Sequence, residues 1–291
     1  MKITVPAFKL SYRVVYRKND KKLRSCPPWD EYSPTLDKPY GEGKDRVFDL
    51  FRGRADVRKN TLLILVHGGY YVRGRHRDSY PFAIPFLNEG FDVLSVEYRL
   101  NGKGIETRDQ IADVAEFCRY LFSELPALGL SGEERFYISG DSAGGHLALF
   151  IAEAAGGVMG VDLGGARFDG VLLNCPSYDY AAYRTVGDMS RAMRKWFLGE
   201  NYEEEGYLER YSPRTYIENL SVPVFVSTCR NDFLREGVLY LRDDLDRLGK
   251  KYVFLDIDEE DKRVAHVHNV ADPDLPASVR VNRAMMDFMT A

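Results

Sequence analysis

The chain has 291 residues, with 40 Lys and Arg against 44 Asp and Glu, for a formal charge of −4. That balance gives no counterion-release drive toward nucleic acid. With 45% hydrophobic and 29% charged residues, the composition is that of a folded globular protein and not of a disordered one. The opening stretch MKITVPAFKLSYRVVYRKND lacks an apolar core, so no signal peptide is expected. The first 60 residues are polar, and Pro27, Pro28, Pro34 and Pro39 break any long helix. Two alternating stretches there, Leu10–Tyr16 and Arg46–Phe51, read as short strands.

After Asn60 the pattern changes. Thr61–Val66 is a nearly continuous aliphatic run, the signature of a strand buried on both faces. It contains the longest unbroken aliphatic stretch, far too short to span a membrane. Strands follow at Phe91–Val96, Arg135–Ser139, Gly170–Leu173, Val222–Thr228 and Tyr252–Ile257. Helices alternate with them at Ile105–Ser123, Gly145–Ala155, about Leu234–Leu248 and about Ala277–Met289. Such alternation predicts a mostly parallel, doubly wound sheet in one domain over 1–291. Right-handed crossovers then gather the site-forming loops at the carboxyl ends of the strands.

Pro176–Leu220 is rich in aromatic and charged residues and holds no buried strand. It predicts a helical insertion between two sheet strands, a cap over the site. The four cysteines, Cys26, Cys118, Cys175 and Cys229, never form CxxC. They predict free thiols in a reducing cytoplasm, with no disulfide framework or zinc knuckle.

Gly140-Asp141-Ser142-Ala143-Gly144 is a G-x-S-x-G motif. It follows an apolar strand directly and opens a helix, the setting a nucleophile turn requires. Residues two before and two after the serine crowd each other there, so both must be small. The helix behind the serine directs its dipole at developing negative charge. His67-Gly68-Gly69-Tyr70 follows the strand Thr61–Val66. A glycine turn at that point aims backbone N–H groups into the site, and Gly69, Tyr70 and Ala143 together predict an oxyanion hole.

LVHGGYYVRG, VEYRL and GDSAGGHLA, in this order, resemble the hormone-sensitive-lipase-like esterase branch of the α/β-hydrolase superfamily. The resemblance covers roughly residues 46–290, leaving 1–45 as an N-terminal extension and about 176–220 as the cap. It implies the α/β-hydrolase fold, a mostly parallel central sheet flanked by helices, and an esterase or related acyl hydrolase. Tyr70 replaces the family's third glycine, which keeps a backbone N–H but obliges the side chain to turn away or line the acyl pocket. In such motifs His67 supports the loop and does not act as the base. Arg99 of the YRL segment is a structural residue, with Asp113 or Asp141 as its ion-pair partner. Asp141 itself buttresses the turn.

A serine hydroxyl needs a base, and that base needs an orienting carboxylate. On this fold they come in the order Ser, Asp or Glu, His. Of the five histidines, His67 and His76 precede Ser142, and His146 lies on the helix behind it. His266 and His268 remain. The family's H-x-F string places the base at His266 and an aromatic ring where His268 stands. For the carboxylate, Asp232 in Cys229-Arg230-Asn231-Asp232-Phe233-Leu234 fits the loop after a strand and resembles the family's G-x-x-D-x-L, with Cys229 in the glycine's place. Glu236, Asp243 and Asp244 are the alternatives, and Asp232 is also a candidate helix cap.

The expected function is a serine carboxylesterase with the triad Ser142, Asp232 and His266. The aromatic cap suggests a limited pocket and short acyl, acetyl-like esters. Neither a metal nor an organic cofactor is expected. An amide hydrolase of the aryl-formamidase or acyl-peptide hydrolase type is the near alternative, and a non-catalytic small-molecule binding protein the distant one. The expected partner is a small-molecule ester, with no nucleic acid and no membrane. The oligomeric state is open, a homodimer through an edge strand or the last helix included.

Overall fold

The computed structural model describes residues 29–158, 160–185 and 190–291. The expected strand at 10–16, Cys26, Pro27 and Pro28 lie outside these residues. Eight strands form one sheet. They are β1 (Thr35–Pro39), β2 (Val47–Phe51), β3 (Thr61–Val66), β4 (Asp92–Val96), β5 (Arg135–Asp141), β6 (Gly170–Asn174), β7 (Val224–Cys229) and β8 (Tyr252–Ile257). Their order is β1-β2-β4-β3-β5-β6-β7-β8. β2 runs antiparallel to both neighbours, and every pair from β4 to β8 is parallel. This is the mostly parallel sheet of an α/β-hydrolase.

The longer helices are α1 (Tyr80–Asn88), α2 (Thr107–Ser123) and α3 (Ala143–Ala155), then α4 (Arg191–Leu198) and the one-turn α5 (Tyr207–Arg210). They continue with α6 (Arg235–Arg247), the short α7 (His268–Ala271) and α8 (Pro276–Thr290). The two-residue period of β3 divides the core. Leu62, Ile64 and Val66 pack on one face with Val114 and Phe117 of α2, Leu147 of α3 and Leu241 of α6. Leu63 and Leu65 pack on the other with Phe82 and Phe86 of α1 and with Val281 and Met285 of α8. Each such fully buried side chain contributes about 1.5–3 kcal/mol. Burial on both faces explains why β3 reads as an unbroken aliphatic run.

Two elements differ from expectation. β1 is an edge strand within the expected N-terminal extension, pairing with β2 through a register irregularity between Thr35 and Lys38. Its residues are mostly exposed, so it shows no hydrophobic alternation. α1 carries Pro81 in its first turn and Pro85 inside. Its first-turn proline costs no helical hydrogen bond, but Pro85 removes one donor, and the pair hides the helix from a pattern search. Elsewhere the boundaries shift by a residue or two. β7 starts at Val224 rather than Val222, and α2 starts at Thr107, where the Glu106 N–H donates to Asp109 Oδ2 at 2.9 Å.

Arg99 pairs with Asp113, not Asp141. Its guanidinium reaches both Asp113 oxygens at 2.7 and 2.8 Å, and Arg46 adds a bond at 3.1 Å. Asp113 is fully buried, so this cluster ties α2 to the start of β2 and the end of β4. Removing one partner of a buried ion pair strands the other charges. Asp113→Ala should therefore lower the unfolding free energy by about 3 kcal/mol, read as a lower urea midpoint with little change in slope.

Candidate active site

The site forms where β5 ends. Ser142 adopts φ 55 and ψ −118 between β5 and α3, a strained conformation for a residue with a side chain. Neighbouring backbone leaves no slack. A Cβ on Gly140 would lie 2.1 Å from the Gly144 carbonyl oxygen, and one on Gly144 2.1 Å from that of Val66. The Ser142 N–H donates to the Asn174 carbonyl at 3.0 Å, and the Ser142 carbonyl accepts the N–H groups of His146 and Ser177 at 3.2 and 3.0 Å. Asn174, at the end of β6, also uses its side-chain oxygen to accept Asn269 Nδ2 at 2.7 Å. One residue thus links the serine turn to α7, the short helix that follows His266.

His266 lies in the connection between β8 and α7. Its Nε2 is 2.9 Å from Ser142 Oγ, and its Nδ1 is 2.6 Å from Asp232 Oδ1. Asp232 stands just beyond β7. Its Oδ1 also accepts the Leu234 N–H at 2.9 Å, and its Oδ2 accepts the Thr228 hydroxyl at 2.8 Å. Oδ1 thus serves both His266 and the Leu234 N–H, while the N-cap of α6 is Leu234, with no side-chain cap bond, so Asp232 is not the helix cap. Burial alone would raise the Asp232 carboxyl, but the hydrogen bond and charge of His266, with the Leu234 and Thr228 donors, outweigh it and hold it below the usual range. The carboxylate accepting at Nδ1 leaves the Nε2 lone pair facing the serine hydroxyl.

The other candidates fall elsewhere. His268 is buried in α7 with Nδ1 on Ser278 Oγ at 2.9 Å. His146 is buried on α3, its Nδ1 2.7 Å from the Tyr71 hydroxyl, and burial brings its imidazole down to about 3. Asp141 supports the glycine turn, its Oδ1 accepting the Gly68 N–H at 3.1 Å. Burial pushes that carboxyl up to about 6. Glu236 is exposed in the first turn of α6, Asp243 lies further along, and Asp244 accepts the Tyr178 hydroxyl at 2.9 Å.

Gly69, Tyr70 and Ala143 lie on the two turns flanking Ser142. Among the described residues, the N–H groups of Gly69 and Ala143 have no acceptor. Tyr70, at φ 56, turns its ring between those of Phe197 and Phe233, with centroids at 5.6 and 5.9 Å. Phe233 is 58% exposed and its ring lies 4.2 Å from that of His266. Beside it opens a cleft of about 350 Å³ whose walls include Tyr178, Asp179, Tyr183, Phe233, Glu236 and Tyr240. Within residues 176–220, Tyr180, Phe197, Leu198 and Leu208 pack in one apolar cluster with Tyr71, Val72 and Ala143. Glu106 accepts the Asn201 N–H and the Tyr207 hydroxyl at 3.0 and 2.9 Å, fixing this segment to the start of α2.

A buried network under the glycine turn was not legible in the sequence. His67 Nε2 meets Glu97 Oε1 at 3.1 Å, and His76 Nδ1 meets Glu97 Oε2 at 2.8 Å. His76 Nε2 in turn reaches Asp49 Oδ2 at 2.8 Å. Burial alone would lower the His76 imidazole, yet the carboxylates of Asp49 and Glu97 outweigh it and push it up to about 9. Burial likewise opposes ionisation of Glu97, but hydrogen bonds from His67 and His76 bring it down to about 2. No local pattern around Asp49, His76 or Glu97 signals this network, because its members come from three separate segments.

This sheet order, the strained turn and the flanking layers define an α/β-hydrolase. The BD-FAE family model matches residues 48–235, and the chain belongs to that family. Over 236 residues it is 25% identical to the kynurenine formamidase of Danio rerio, covering 78% of this chain and 73% of that one. A match to the Salmo salar kynurenine formamidase is 31% identical over 117 residues, 40% of this chain and only 37% of that protein's length. Among solved structures, esterase B from Lactobacillus rhamnosis superimposes with a TM-score of 0.84 at 21% identity, over 97% of this chain and 94% of its own. A bacterial heroin esterase superimposes at 0.69 with 18% identity, over 98% and 90%. Among the described residues, no helix is long and apolar enough to cross a membrane.

The His76 network predicts a pH dependence. A histidine whose folded pKa exceeds its unfolded value stabilises fully below the unfolded value and loses that contribution as pH rises through the folded one. The His76 contribution is therefore present below about 6.5 and lost as pH climbs through about 9. Urea midpoints of wild type and His76→Asn should differ most near roughly pH 6 and draw together by roughly pH 10. A constant gap across that range would mean His76 acts through packing alone.

Proposed function

We propose that this protein is a serine hydrolase of small-molecule carboxylic esters. The observation that carries the reading is the continuous hydrogen-bonded chain from Ser142 through His266 to Asp232, built on a strained turn that presents the hydroxyl. Ser142 attacks the ester carbonyl while His266 Nε2 takes its proton, and Asp232 orients the imidazole and stabilises the imidazolium. The N–H groups of Gly69, Tyr70 and Ala143 hold the tetrahedral oxyanion, each donor worth about 3–4 kcal/mol in the transition state. The leaving alcohol takes the proton back from His266. Water, activated by the same imidazole, then releases the acid.

Residues 176–220 act as the cap, and the cleft beside Phe233 receives one side of the ester. The aromatic cluster of the cap, with Tyr70, Phe197 and Phe233 stacked beside His266, favours short acyl groups, acetyl above longer chains. The buried free thiols of Cys118, Cys175 and Cys229 fit a reducing, cytoplasmic setting. A second reading, hydrolysis of an aryl amide, is favoured by the similarity to the two fish proteins named as kynurenine formamidases. The same triad serves both, since only the leaving atom differs. A binding protein without catalysis is disfavoured because all three triad positions are filled and connected.

Hydrolysis of p-nitrophenyl esters from acetyl to dodecanoyl, beside matched formanilides, tests these readings. The expected result is turnover peaking at the short esters and falling by roughly 10³–10⁴-fold or more in Ser142→Ala and Asp232→Asn. Faster turnover of formanilides than of their ester counterparts would move the assignment to an amide hydrolase. Turnover unchanged in Ser142→Ala would remove the serine from the mechanism.

A further inference from the structure

Beneath the triad lies a cysteine that the hydrolase chemistry does not use. Cys175 follows β6 with φ 47, its N–H donating to the Ser227 carbonyl at 2.8 Å. Its Sγ accepts the N–H of Val267, the residue next to His266, at 3.3 Å. The sulfur is thereby aimed at the histidine loop. One ligand atom each from Cys175, Asp232 and His266 lie within 4.8 Å of one another. The buried Cys229 thiol lies near that of Cys175.

We propose that Cys175, Asp232 and His266 form a site for a thiophilic divalent cation, Zn²⁺ or Cd²⁺, whose occupation switches the hydrolase off. One sulfur, one carboxylate oxygen and one imidazole nitrogen form a mixed donor set that suits Zn²⁺ and disfavours Mg²⁺ and Ca²⁺. In a tetrahedral centre with such bond lengths the donors stand roughly 3.3–3.8 Å apart, so side-chain rotation brings these three into range. The fourth corner goes to water, so Cys175 is the one sulfur ligand. Binding releases the Cys175 thiol proton to solvent.

Either ring nitrogen of His266 leads to the same outcome. A metal on Nε2 occupies the lone pair that takes the serine proton, and a metal on Nδ1 replaces the proton held by Asp232. The second cluster of this kind, Asp37, Asp49 and His76, contains no sulfur and so lacks the donor that selects a thiophilic cation.

The inhibitory half of this proposal rests on the hydrolase reading, and the binding half does not. Two measurements on the full chain separate them. The first is p-nitrophenyl acetate turnover against Zn²⁺, with reversal by a chelator. The second is the near-ultraviolet thiolate-to-metal charge-transfer band on titration with Co²⁺. Low-micromolar Zn²⁺ should inhibit reversibly, and in Cys175→Ser the inhibition constant should rise by about tenfold or more. The Co²⁺ band should appear in wild type, Ser142→Ala and Cys229→Ser and vanish in Cys175→Ser. Should Cys175→Ser fail to fold, Cys175→Ala replaces it. Undiminished Zn²⁺ sensitivity in the Cys175 variant, absence of inhibition in a turning-over wild type, or absence of a thiolate band in wild type would each overturn the proposal. If wild type turns over no ester, the band alone decides whether the site exists.

Discussion

The backbone turn at Ser142 is the constraint on which the site depends. A residue with a side chain holds φ 55 only because its surroundings leave it no other choice. Gly140 and Gly144 close on each other to a distance no Cβ tolerates, and Gly144 also abuts the carbonyl of Val66 at the end of β3. The turn is therefore wedged between two central strands whose side chains are buried on both faces. Hydrophobic burial across the sheet supplies the stability that offsets the strain. The hydroxyl that results points out of the backbone, within hydrogen-bond reach of the histidine.

The same logic extends to the glycine turn opposite. Donors for an oxyanion are useful only if they do not move when charge develops. His67 is stacked on Tyr98, which donates its hydroxyl to the His67 carbonyl at 2.5 Å, and is held from below by Glu97. Glu97 is held by His76, and His76 by Asp49 on the antiparallel edge of the sheet. Asp49 also accepts the N–H of Asp37 at 2.5 Å, which brings β1 into the same chain of contacts. The polar N-terminal strand thus takes part in fixing the turn beside the serine.

Much of this was legible in the residues. The aliphatic run of β3 and the strand–turn–helix around GDSAG stand out because each pattern reflects a local steric demand. Ser142, Asp232 and His266 could be singled out because loop position and chain order restrict the choices, with the family resemblance deciding between His266 and His268. The structure then places these three in one hydrogen-bonded chain with His266 at its centre and gives His268 to Ser278. What stayed hidden was either exposed or non-local. β1 has no buried face to leave a period, and α1 carries two prolines within its nine residues. Asp49, His76 and Glu97 are partners across three separate segments, and nothing in their immediate neighbours marks them. Arg99 showed the same limit, for sequence offered Asp113 and Asp141 equally and only the packing of α2 selects Asp113.

Membership of the BD-FAE family and a likeness to several esterase structures fix the fold, while the chemistry rests on whether Ser142 is activated through His266. Covalent labelling with a fluorophosphonate, read by intact mass and peptide mapping in wild type and His266→Ala, tests that most directly. The account predicts a single adduct on the peptide that contains Ser142 and its near-complete loss when His266 is replaced. No adduct on the folded wild type, an adduct on another residue, or labelling undiminished in His266→Ala would contradict it.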